Sequence, residues 1–207
     1  NRVVAFSSLM GRPITEDLAR EVLSDSTAPP AATPAPAPAP TRLATTMGGA
    51  FDRELEPGRS YLIEEDRPAE AFRLFAKFLG GSGGGLVITR TNPKRVRESF
   101  DLPAEKILWL TDREGSSEET IAPVLERIVY EIEDFMSKKP RGAVVLDGIE
   151  YLASNNSFDA VLKFVRRLLD HMSESRYAFI ISLGPATIKD QELKTLEREM
   201  EVIRPSG

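Results

Sequence analysis

The run Val144-Val145-Leu146-Asp147-Gly148 is the first place in this chain where residue types and spacing suggest chemistry. A buried strand that ends in an aspartate puts a carboxylate where NTPases hold magnesium. An aspartate at that position also serves as a turn residue, helped by the glycine after it. Glu150, three residues on, reads as a base or as a solvent-facing side chain. A second such place is Glu64-Glu65-Asp66-Arg67-Pro68, just after an apolar segment. In nucleotide-binding sheets the first strand leads into a glycine-rich phosphate cradle with Lys and Ser or Thr. Here three carboxylates stand instead. They are expected to repel a triphosphate, and Pro68 removes a backbone donor from the helix N-terminus that follows.

The other chemical candidates are weaker. Gly80-Gly81-Ser82-Gly83-Gly84-Gly85 is glycine-rich, but it follows a helix, precedes a strand and has no Lys after it. It reads as a connection with a glycine helix cap. Arg90 is expected to form an ion pair with Asp112 or Asp147 at the top of the sheet. Arg90, Asp112, Asp147 and Tyr151 together make a candidate interaction or structural polar cluster. Trp109 is expected in the core or on a partly covered sheet edge. His171 ends a helix, where a cation is favoured. Asn155 and Asn156 suit a turn and a cap, and Lys138-Lys139-Pro140-Arg141 suits a solvated turn. No catalytic residue, metal-ligand set or confident cofactor-binding residue emerges.

Composition bounds the function. The chain has 207 residues, 27 Lys+Arg, 32 Asp+Glu, one His and no Cys. Disulfides, thiolate metal sites and multi-histidine metal sites are therefore excluded. The absence of Cys fits a reducing, cytoplasmic setting. No apolar run approaches the roughly 20 residues needed to span a bilayer. The chain starts at Asn1 rather than Met, so a fragment of a longer protein is expected. The net charge of −5 falls wholly on residues 51–207, which argues against a nucleic-acid face there.

Three zones must position the candidates. Residues 1–25 read as two short helices broken at Gly11-Arg12-Pro13, the second opened by Thr15. Residues 26–50, within which residues 28–40 alternate Pro and Ala, read as an extended, disordered spacer. Residues 51–207 alternate strand and helix. Strands are expected at 60–63, 86–89, 107–110, 143–146 and 177–183, with a sixth, edge strand at 200–203. Helices are expected at 68–79, 121–136, 157–172 and 191–199, and Pro93 opens a short helix or turn. Short apolar strands between amphipathic helices imply an α/β fold with a doubly wound, mainly parallel sheet.

Several separated motifs carry a resemblance. They are Gly58-Arg59-Ser60-Tyr61-Leu62-Ile63, Leu86-Val87-Ile88-Thr89-Arg90 with Pro93, and Trp109-Leu110-Thr111. Val145-Leu146-Asp147-Gly148-Ile149-Glu150-Tyr151-Leu152 with Asn156 and Phe158, and Leu196-Glu197-Arg198-Glu199, complete the set. Over about residues 57–203 the chain resembles the mostly archaeal family catalogued as domain of unknown function 835. The same strand order is similar to the KaiC/RecA-type ATPase core. There Asp147 matches the Walker B acid, whereas Glu64 to Pro68 departs completely from the phosphate loop. The resemblance implies a degenerate RecA-like domain that has lost nucleotide hydrolysis. Residues 1–25 resemble the end of the helical lid of the bacterial replication initiator DnaA, which implies an upstream AAA+ core.

The function expected is a non-catalytic regulatory or protein-interaction module, pseudo-ATPase-like, attached to a DnaA-like AAA+ ATPase. A protein partner or that upstream domain is its expected partner, with no membrane role. Any ATP or magnesium would belong to the upstream core, and residues 51–207 themselves take no cofactor. The alternatives are a nucleotide-binding ATPase using Asp147 and a DNA-binding protein associated with replication.

Overall fold

Seven parallel strands form one sheet in the order β4-β3-β2-β5-β6-β1-β7. The computed structural model describes residues 54–80, 83–102, 105–113 and 116–205, which lie within the unit Gly48–Gly207. The helices expected in residues 1–25 and the Pro/Ala spacer of residues 26–50 lie outside the described residues.

The elements in chain order are β1 (Ser60–Glu64), α1 (Ala69–Leu79), β2 (Gly84–Thr89), α2 (Pro93–Phe100), β3 (Lys106–Leu110) and β4 (Thr120–Ile121). Next come α3 (Leu125–Lys138), β5 (Gly142–Asp147), α4 (Ile149–Asn155) and α5 (Phe158–Ser173). The last are β6 (Tyr177–Leu183), a 3-10 turn (Pro185–Thr187), α6 (Asp190–Glu197) and β7 (Glu201–Ile203). Strand side chains alternate between two buried layers, which is why the strands read as continuous apolar runs. Leu62, Ile88, Leu146 and Ile181 face the layer of α3, α4 and α5. Tyr61, Ile63, Val87, Val145 and Ile180 face the layer of α1 and α2.

Two elements differ from the sequence reading. The helix expected at residues 121–136 begins only at Leu125. Pro123 disfavours helical backbone at Ala122 before it, and Ile121 joins the sheet instead: Trp109 N–H donates to Glu119 O (2.8 Å) and Thr111 N–H to Ile121 O (2.9 Å). The short helix α4 was not expected. It follows Gly148, whose φ of 114° turns the chain out of β5. Both sheet edges are short, with two residues in β4 and three in β7.

Candidate functional site

The carboxyl ends of β1, β6, β5 and β2 lie side by side, and ligands of doubly wound sheets bind at this crest. The β1–α1 turn decides what can bind here. Pro68 precedes α1 without a side-chain cap, and Ala69 N–H donates to Arg67 O (2.6 Å). The next donors of the helix are those of Glu70 and Ala71. Both are taken by Glu65: Glu70 N–H donates to Oε2 (2.7 Å) and Ala71 N–H to Oε1 (3.0 Å). Ser182, at the end of β6, adds its hydroxyl to Oε1 (2.9 Å). The chain's own carboxylate thus sits where the N-terminus of α1 would hold a phosphate.

This corrects the reason given by the sequence. The acids of this turn do not act as three repelling charges. Glu64 is clamped by Arg204, whose Nε donates to Oε2 (2.9 Å) and Nη2 to Oε1 (2.8 Å), and Arg204 also reaches Glu197 (2.8 Å). Glu65 fills the anion seat, and Asp66 is exposed. The backbone donors that a phosphate at this helix start would use are already taken by Glu65. The residues present therefore do not fit ATP with magnesium in the arrangement that the fold implies. Among the described residues, no group of three or more His, Asp or Glu is placed to hold a metal ion.

Asp147 lies two strands from Glu65, paired in register with Ser182. It is 9% exposed. Its Oδ2 accepts from the Thr89 hydroxyl (2.6 Å) and Arg90 N–H (3.2 Å). The carboxylate is thus turned toward β2 and holds the β2–α2 turn. Thr91 N–H donates to Thr89 Oγ1 (2.9 Å) and tightens the same turn.

The candidate cluster is brought together in part. Arg90 forms no ion pair with Asp112 or Asp147; its guanidinium lies 3.9 Å from the centre of the Tyr151 ring, and its Nη1 donates to Leu110 O. The geometry of β5 explains the difference: Asp147 points at the Arg90 main chain, which leaves the side chain free to stack. Asp112 stands exposed, apart from the cluster. Trp109 is half-buried, and its indole N–H donates to Arg90 O (3.1 Å). His171 approaches Glu133 (3.6 Å) on the α5 surface, away from the crest. Asn156 caps α4 by donating to Leu152 O (3.0 Å) and also reaches Pro123 O (3.1 Å).

Ser182 and the hydroxyl of Thr89 were missed as site groups. Their signal was present, because Thr89 is the one hydroxyl of β2 and Ser182 the one aliphatic hydroxyl of β6, both in buried and largely apolar strands.

Burial raises Glu65, Asp147 and Glu150 above the ordinary carboxylate range, against the hydrogen bonds that favour the charged forms of Glu65 and Asp147. Each group binds its proton more readily in the folded chain than in the unfolded one. These groups therefore stabilise the fold as pH falls through their raised values, and that stability is lost as pH rises. The urea midpoint is expected to increase as pH is lowered from neutrality toward the ordinary carboxylate range. Glu65→Gln, which removes one of these groups, should flatten that slope. A midpoint that falls over this interval would contradict the assignment.

A parallel, doubly wound α/β sheet, with the start of its first helix filled by its own glutamate, is the class that fold and site define. The chain belongs to the family described as Protein of unknown function (DUF835), whose profile matches residues 64–200. Two solved structures are similar. One is a Pyrococcus horikoshii OT3 protein studied as project PH0250, at a TM-score of 0.52 and 11% identity, covering 73% of this chain and 84% of that one. The other is the flagellar accessory protein FlaH from Methanocaldococcus jannaschii, at a TM-score of 0.50 and 14% identity, covering 72% of each chain. At these identities the likeness concerns the fold alone. No curated protein matches the chain.

Proposed function

We propose that residues 51–207 act as a non-catalytic protein-interaction module built on a RecA-like sheet. The observation that carries this reading is the Glu65 carboxylate, which takes the N–H groups of Glu70 and Ala71 and the Ser182 hydroxyl. Asp147 supports it, because its carboxylate is tied to β2 and not presented to solvent. A sheet of this kind keeps the shape of a nucleotide-binding core and offers its surfaces to a partner.

The proposal extends to a partner in the cytoplasm: an ATPase core attached through the segment of residues 26–50. A reading frame that continues upstream of Asn1 into an intact phosphate loop would support that part. The direct test is calorimetric titration of the whole chain with ATP and magnesium. No binding heat is expected up to about millimolar nucleotide, the weak end of the affinity scale. Micromolar binding would overturn the proposal.

A further inference from the structure

We infer that the groove between α1 and α2 docks a cationic, amphipathic peptide segment of the partner, an inference that rests on the interaction-module reading above. The groove is open to solvent and has a volume of about 680 Å³, enough for a few side chains. Its floor is apolar, with Ala76, Phe100 and Pro205 contributing. Phe100 is only partly covered by the core, where its ring meets Phe72 at 5.0 Å.

The residues lining the groove are mostly acidic, with Glu65, Glu70, Glu98 and Asp101 beside Arg73. Glu65 closes one end, with its carboxylate committed to α1. Arg73, the cation among the lining residues, is held by Glu70 through Nε (2.8 Å) and Nη2 (2.5 Å). Glu98 and Asp101 remain as exposed carboxylates with no ion-pair partner among the described residues. An apolar floor beside unmatched carboxylates complements an aliphatic side chain flanked by Lys or Arg. An acidic segment would meet like charge, and a purely polar one would leave the floor wet.

The test uses the whole chain and a labelled amphipathic helix of Leu and Lys, about 14 residues long so that it can hold a helix. Fluorescence anisotropy is expected to show binding that Glu98→Lys with Asp101→Lys weakens about tenfold or more. Asp170→Lys with Glu174→Lys makes the same charge change at exposed positions around the α5 C-terminus and should leave binding nearly unchanged. A Gly/Ser/Lys peptide of equal charge should bind much more weakly than the Leu/Lys helix.

Equal weakening by the two double variants would show mere charge attraction and overturn the inference. Equal affinity for the Gly/Ser/Lys peptide, or no binding of the Leu/Lys helix, would overturn it as well. All four substituted positions are exposed; Asp101 also forms the left-handed C-cap of α2, so circular dichroism and the urea midpoint check that each variant folds like the parent chain. The peptide readout contains no nucleotide, so its failure is distinct from that of the ATP titration.

Discussion

Asp147→Ala is expected to lower the stability of the domain by about 3 kcal/mol, read as a shift in the urea midpoint. The Thr89 hydroxyl and the N–H group of Arg90 lose their acceptor at a buried strand end. A buried donor without a partner costs more than the net value of the bond it made. Asp147→Asn should cost about 1 kcal/mol, because its amide oxygen still accepts and no charge is buried. The pair of variants separates two roles for the same residue. A carboxylate held ready for a metal would face solvent, and its removal would leave stability intact. An alanine variant as stable as the parent chain would therefore refute the structural role assigned to Asp147.

Gly148→Ala is expected to cost about 2–3 kcal/mol. Its φ of 114° lies where side chains other than glycine are strained. The added Cβ would also stand 2.7 Å from Arg90 Cγ and 3.1 Å from Leu110 Cδ2. To relieve that contact Arg90 must leave the Tyr151 ring and the Leu110 carbonyl. The chain contains a single tryptophan, and the Trp109 indole N–H donates to Arg90 O. Its emission should consequently shift to longer wavelength as water reaches the indole. An unchanged midpoint together with an unchanged emission maximum would contradict the packing described here.

The sheet was readable because its strands are buried on both faces. Residues 177–183 form β6 as expected, and the expected strands at 60–63 and 143–146 fall inside β1 and β5. Amphipathic spacing located α1 and α5 to within a residue at each end. The strand at residues 120–121 was not legible, since two residues carry no period and Pro123 sits inside an apolar spacing that otherwise suggests a helix.

The site was legible in composition but not in geometry. The acidic turn after β1 pointed to a missing phosphate cradle. The seating of Glu65 depends on Ser182, 117 residues away in sequence, and local pattern says nothing about such a partner. The same limit misplaced Arg90. Its contacts come from β3 and α4, and only the folded sheet brings those elements beside the end of β2.

The short flanks of the sheet bear on colloidal behaviour. An edge strand is a template on which another chain can continue the hydrogen-bonded ladder, and a long, flat, apolar one invites fibre growth. Here β4 offers two residues and β7 three. On the β4 side, the rest of β3 begins with Lys106, ion-paired to Glu131 at 3.0 Å. A foreign strand would have to part that pair and would gain only a few ladder bonds. Joining chains edge to edge would gain few ladder bonds at either end of the sheet.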